Sequence, residues 1–205
     1  MKPVLILSLL FQILNNGIAQ NEKTMDTINN SDLPYYQIPD YPENYTSTTV
    51  AARMIDGLGF RYYWATESLR EEDLKFRPNE DARTVKETLD HIYGLSRVIV
   101  NATNNQPNIG STGKQDFTFE QLRKMTLENF KKASDLLKAN QEKDLAGYKV
   151  IFKRGETISE YPFWNLINGP IADAIWHVGQ VVSFRRSSGN PLHPKVSVFS
   201  GKLRE

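Results

Sequence analysis

The stretch DAIWHVGQ, residues 173–180, places an aspartate and a histidine four positions apart. At about 100° per residue in an α-helix, Asp173 and His177 share one face with the apolar residues Leu166 and Val181. A carboxylate on an apolar face is costly unless it pairs with a cation, a hydrogen-bond donor or a metal ion. The spacing therefore indicates either an Asp–His pair along one helix or part of a metal site.

His91 is the third candidate ligand. It falls on a separate predicted helix, where Leu95 and Val98 lie beside it in the same projection, so its imidazole is expected to point toward the core. Two histidines and a carboxylate suit Fe(II), Mn(II), Zn(II) or Ni(II) and leave positions for water or substrate. A hydrogen-bonded core histidine remains the alternative interpretation.

Three further residues are candidates for supporting roles, while no nucleophile or general base is assigned. Gln180, about 60° from His177 on the projection, would contact that ligand or the substrate. Glu87, one turn before His91, would either accept a hydrogen bond from that ring or cap its helix. Arg185 would cap the negative end of the last helix or bind an anionic substrate.

Four helices must position these residues. Apolar residues recur every three or four positions through each of them, and Thr84/Glu87 and Thr118/Gln121 match the capping box at a helix start. The last helix contains Pro170, which should kink or split it. Gly189 and Pro191 suit its end. The predicted helices cover about residues 48–69, 84–99, 118–140 and 162–188.

A short β-hairpin is expected immediately before the last helix. Tyr148, Val150 and Phe152 alternate with polar or outward residues ahead of the turn pair Arg154-Gly155. The predicted fold class is therefore all-α, a four-helix bundle with one short hairpin.

Three features resemble the DinB-like proteins, a family of four-helix bundles that includes metalloenzymes. They are the stretches RTVKETLDHIYGLS and PFWNLINGPIADAIWHVGQVVSFRRSSGNP, and the long connection before the last helix. The resemblance covers about residues 48–191. It implies a metal held by one histidine of the second helix and an H-x-x-x-H pair of the fourth. His91 and His177 match that pattern, and Asp173 stands where the family usually has histidine.

The first twenty residues, MKPVLILSLLFQILNNGIAQ, have the layout of a signal peptide. Lys2 precedes an apolar run from Val4 to Leu14, which is about half the ~20 residues of a membrane-spanning helix. Cleavage near Ala19 would give an exported protein, periplasmic or secreted, without a permanent membrane anchor. The expected organisation is a signal peptide at 1–19, an irregular lead-in at 20–47 and the DinB-like bundle at 48–205.

Composition narrows the functional classes. The 25 basic and 24 acidic residues give a formal charge of +1, which provides no basic field for nucleic acid. The chain has no cysteine and therefore no thiolate nucleophile. The expected partners are a small-molecule substrate of unknown identity and, with less support, a second copy in a homodimer.

The resemblance implies either a thiol-dependent transferase or an enzyme of unassigned activity. Low-molecular-weight thiols are mainly cytosolic, so export favours metal-activated water and hydrolase-type chemistry over S-transfer. The alternatives are a non-catalytic binding or structural module, in which Asp173 and His177 bond to each other, and a thiol-dependent S-transferase.

Overall fold

The computed structural model of the chain describes residues 32–110 and 116–205. The predicted signal peptide and the lead-in up to residue 31 lie outside the described residues. The fold is mostly helical with a small sheet, so the all-α prediction is correct only in part. The elements are α1 (Ser47–Thr66), α2 (Glu71–Lys75), α3 (Val85–Thr103), β1 (Asn108–Ile109), α4 (Phe119–Ala139), β2 (Lys149–Arg154), β3 (Thr157–Pro162), α5 (Phe163–Leu166), α6 (Ala172–Ser187), β4 (Val196–Ser197) and β5 (Lys202–Leu203).

The long helices pack as a closed ring, which is compatible with a helical bundle. Helix α1 packs against α4 and α6, and α3 packs against the same two helices. Leu58, Leu89, Leu127 and Val181, one from each long helix, are fully buried between them. None of the helices in the described part of the chain is both long and apolar enough to cross a membrane.

Both predicted capping boxes are confirmed. Thr84 Oγ1 accepts from the Glu87 amide at 3.1 Å, and Glu87 Oε2 accepts from the Thr84 amide at 2.8 Å. Thr118 and Gln121 make the same reciprocal pair at 3.2 and 3.0 Å. These bonds satisfy backbone amides that have no partner inside the helix, and they fix where α3 and α4 begin.

The first turns of α1 bury different residues from those that the apolar spacing indicates. Val50 and Met54 belong to that three-to-four-residue spacing, yet they are 48% and 38% exposed. Ala51 and Ile55 are buried instead. Leu58, Tyr62 and Ala65, later members of the same spacing, are fully buried as expected.

The predicted hairpin is confirmed. Strands β2 and β3 pair antiparallel from Lys149↔Pro162 to Arg154↔Thr157. Gly155 takes φ +57° in the two-residue loop, as the first central residue of a type II′ turn requires. Strand β1 adds to β2 in parallel, and β4 pairs with β5 near the C-terminus. Neither of these two additions was predicted, because strands of two residues have no readable period.

The last helix is split at the predicted proline. A π-helical turn over Ile167–Ile171 contains Pro170 and joins α5 to α6. Proline has no amide to donate to the preceding turn, which accounts for the break in the regular α-helix. Beyond Ser187 the chain leaves the helix through Gly189 at φ +81°, and the Asn190 amide donates to the Arg185 carbonyl at 2.8 Å.

Candidate metal centre

The fold brings the three predicted ligands together. His91 lies on α3, and Asp173 and His177 lie one turn apart on α6. His91 Nε2 is 3.1 Å from Asp173 Oδ2, and His177 Nε2 is 3.3 Å from Asp173 Oδ1. One ligand atom from each of the three residues falls within 4.8 Å of the other two, so the cluster could hold a metal ion.

These separations can be compared with the size of a metal ion. Two ligand atoms bound at about 2.1 Å, and separated by ligand angles of about 90–110°, lie roughly 3.0–3.4 Å apart. The two nitrogen-to-oxygen separations, 3.1 Å to Oδ2 and 3.3 Å to Oδ1 of Asp173, fall in that range. The two imidazole rings stand nearly perpendicular in an edge-to-face contact, with centroids 4.6 Å apart. The donor set and its spacing therefore fit a divalent transition metal.

Gln180 orients His177, as expected for a supporting residue. His177 Nδ1 is 2.8 Å from Gln180 Oε1, and a carboxamide oxygen only accepts hydrogen bonds. With Nδ1 as the donor of this bond, the Nε2 lone pair of His177 is directed toward the Asp173 carboxylate. The nitrogen and the carboxylate are then both available as ligands to a metal ion.

The site is open to solvent on one side. The side chains of Asp173 and His91 are 39% and 33% exposed, while that of His177 is 15% exposed. The expectation that Asp173 is buried in an apolar stripe is therefore wrong. Its helix starts directly after the π-turn. The exposed parts of Asp173 and His91 leave the cluster in contact with solvent.

Glu87 and Arg185, two of the candidates for supporting roles, are not part of the cluster of three ligands. Glu87 is exposed and accepts from the Thr84 amide at 2.8 Å, so the capping role is observed. The buried Arg185 donates to the carbonyls of Trp64 and Ala65 at 3.0 and 3.1 Å. It therefore caps the C-terminal end of α1, and it also donates to the carbonyl and Oδ1 of Asn190, just beyond the end of α6. Burial lowers the pKa of its guanidinium.

A buried carboxylate that joins α2 to the residues after α6 was not predicted from the sequence. Asp73 on α2 is fully buried and accepts two bonds from the Arg70 guanidinium. Ser188 and Asn190, which follow α6, donate to the same carboxylate. These bonds, led by those from Arg70, hold the pKa of Asp73 well below its usual range. The partners lie 115 and 117 positions away, so no local pattern could reveal them.

Comparison of the chain with models of known protein families, with curated proteins and with solved structures finds no match.

The remaining histidine, His193, is exposed and its ring lies beside Trp64, with centroids 5.7 Å apart. It is not part of the cluster of three candidate ligands.

Proposed function

We propose that this chain is an exported DinB-like metalloprotein that binds a divalent transition metal and hydrolyses a small-molecule substrate. The proposed ligands are His91, Asp173 and His177, and the metal is Zn, Ni, Fe or Mn. The observation that supports it most directly is the convergence of two imidazole Nε2 atoms on one carboxylate. The open side of the cluster leaves room for a substrate beside these atoms.

The chain's own residues have distinct roles in this proposal. Gln180 holds the proton on His177 Nδ1 and so keeps Nε2 free as a ligand. Asp173 contributes the single negative charge of the cluster and lies within reach of both rings. His91, on the neighbouring helix, makes the site depend on the packing of α3 against α6.

A bound divalent ion supplies Lewis acidity, which makes water a better nucleophile near neutral pH and polarises a carbonyl or phosphoryl oxygen. The chain offers no cysteine for a nucleophile, and within the described residues the cluster of three contains no further acidic group. Hydrolysis is the reaction class that this ligand set supports without another cofactor.

A non-catalytic module is the second candidate. Each Asp173 oxygen already lies within 3.3 Å of an imidazole nitrogen, so the cluster can be satisfied by hydrogen bonds if the histidines carry the protons. In that case the three residues only join α3 to α6. This candidate predicts the same melting temperature with and without a chelator.

Metal affinity separates the two candidates. Untagged protein is stripped with a chelator and titrated with Zn(II), Ni(II), Mn(II) and anaerobic Fe(II) against a chromophoric competitor. We expect His177→Ala to weaken binding by about a hundredfold or more, since one of three protein ligands is lost. His193→Ala is the matched control and should bind like the unaltered chain. Equal affinities in all three proteins would overturn the assignment of the ligands.

Activity provides a separate test of the hydrolytic part. We expect slow turnover of 4-nitrophenyl esters of acetate or phosphate that disappears in the stripped protein and returns on adding metal. His177→Ala should remain inactive after metal is added, and His193→Ala should recover. A protein that binds metal but hydrolyses neither ester class would support the non-catalytic alternative.

A further inference from the structure

One face of the hairpin lines a cleft of about 480 Å³. The cross-strand pairs Val150–Tyr161, Phe152–Ser159 and Arg154–Thr157 share this face, because side chains alternate along each strand. Asn165 of α5 and Pro170 of the π-turn close the other side. The cleft therefore lies between the hairpin and the interrupted helix.

The lining of this cleft contains polar side chains, and none of its described residues is acidic. Arg154 provides the only charge among its lining residues, and Thr157, Ser159 and Tyr161 add hydroxyl groups. In residues 32–110 and 116–205, none of these four side chains has a recorded hydrogen-bond or ion-pair partner. The base is apolar, with Val150 buried. Unpaired donors around an apolar base are typical of a site for a small molecule with an anionic end.

A second, smaller cleft of about 200 Å³ adjoins the first and shares Phe152 and Arg154 with it. Arg97 of α3 lies in its lining, again without a recorded partner among the described residues and without an acidic neighbour in that lining. Two guanidinium groups thus border these adjoining clefts, together called the depression, and no carboxylate lines either cleft among the described residues. Guanidinium groups match carboxylate and phosphate oxygens through paired N–H donors.

One lining residue of each cleft lies close in sequence to a candidate ligand. Pro170 is three residues before Asp173, and Gly94, in the lining of the second cleft, is three residues after His91. Three residues correspond to about 4.5 Å along a helix, slightly less than one turn. Each cleft therefore has a lining residue within about one helical turn of a candidate ligand.

We propose that the depression binds the oxyanion of the substrate, a carboxylate or a phosphate group, with Arg154 as its main ligand and Arg97 as a second cation. This rests on the proposed function, since it places the bond to be hydrolysed at His91, Asp173 and His177. The substrate class is then a small organic anion with an apolar body that packs on Phe152.

Calorimetric titration of metal-stripped protein tests this proposal with phenyl phosphate and benzoate as probes and benzyl alcohol as the neutral comparison. We expect at least one anion to bind and benzyl alcohol not to bind. Arg154→Gln should weaken that binding about tenfold or more, as expected for loss of a charge-assisted pair. Arg154→Lys keeps the positive charge but lacks the paired N–H donors of a guanidinium. Its anion affinity should therefore lie between those of Arg154→Gln and the unaltered chain. The anion that binds more tightly shows whether the site prefers a phosphate or a carboxylate.

The matched control is Arg186→Gln, which removes another exposed arginine, at the far end of α6, whose side chain has no partner among the described residues. It should leave anion affinity unchanged. Anion affinity that is equal in Arg154→Gln and the unaltered chain, or no binding of either anion, would overturn the proposal. So would anion binding that appears only with metal.

Failure of the proposed function gives a different result. His177→Ala should lose metal binding and retain anion binding in the stripped state. A chain that binds the anion through Arg154 but binds no metal would contradict the metalloprotein proposal and leave the anion site standing.

Discussion

At the residue scale, four side chains form the candidate metal centre, and all four were named from the sequence. Helical spacing placed Asp173, His177 and Gln180 on adjacent positions of one face, and the contacts among them are observed. His91 was assigned from its apolar neighbours and from the resemblance, and it lies 3.1 Å from Asp173. Exposure of Asp173 was not predictable, because a helical projection does not show where the bundle ends.

Gln180 provides the sharpest residue-scale prediction for the site. Gln180→Ala should weaken metal binding about ten- to a hundredfold, because His177 loses the acceptor that fixes its proton on Nδ1. Gln180→Glu retains an oxygen acceptor and should retain most of the affinity. Competition titration of stripped protein measures both. Unchanged affinity in Gln180→Ala would show that the contact with His177 does not orient the ligand.

Arg185 provides a prediction on stability. Arg185→Met should lower the free energy of unfolding by about 3 kcal/mol, since the carbonyls of Trp64 and Ala65 lose their buried donor. Arg186→Met, at the next position and exposed, should change it by about 0.5 kcal/mol or less. Urea denaturation compares the two. Similar losses in both variants would contradict the capping role assigned to Arg185.

At the element scale, local sequence signals predicted where the long helices begin or break, but they did not predict the shortest helix and strand. Capping boxes marked the starts of α3 and α4, and Pro170 marked the break before α6. Helix α2 and strand β1 were not predicted. A helix of five residues and a strand of two carry too few positions for periodicity, and tertiary contacts determine both.

The hairpin turn can be tested with a pair of glycine variants. Gly155→Ala should destabilise the protein by about 1–2 kcal/mol, because φ is +57° and a Cβ disfavours that conformation. Gly179→Ala lies within α6, where a Cβ would meet no atom within 4 Å, and should stabilise by about 0.5–1 kcal/mol. Thermal unfolding distinguishes the expected loss of stability in Gly155→Ala from the expected gain in Gly179→Ala. A stable Gly155→Ala variant would contradict the type II′ turn.

At the scale of the whole molecule, the ring of helices is closed by contacts between distant parts of the chain. Asp73 joins α2 to the residues after α6, and Asp56 of α1 accepts from Lys138 of α4 at 2.6 Å and from Tyr35 at 3.0 Å. Asp56 is fully buried. Binary patterning predicted a bundle, but it could not predict which acidic residues are buried, because that depends on which helices become neighbours.

Acid sensitivity follows from Asp73. Its pKa in the folded state lies below that of an unfolded aspartate, about 3.9, so its stabilisation is present above that pH. The stabilisation is lost as the pH falls through the folded-state value. Asp73→Asn should lower the free energy of unfolding by about 2 kcal/mol at pH 7. This is less than the loss expected on breaking a fully buried ion pair, because the Arg70 side chain is 44% exposed.

The corresponding measurement is the urea midpoint between pH 7 and pH 2. The midpoint of the unaltered chain should fall more steeply below about pH 4 than that of Asp73→Asn. Parallel curves for the two proteins would show that Asp73 does not contribute to the acid transition.

The central claim is that His91, Asp173 and His177 form a metal site. The most direct test is elemental mass spectrometry of the protein purified without a histidine tag, beside Asp173→Ala. The account predicts about one transition-metal ion per chain, lost in the variant. Metal content near zero in both proteins after incubation with Zn(II), Ni(II), Mn(II) and anaerobic Fe(II), or equal content in both, would contradict it.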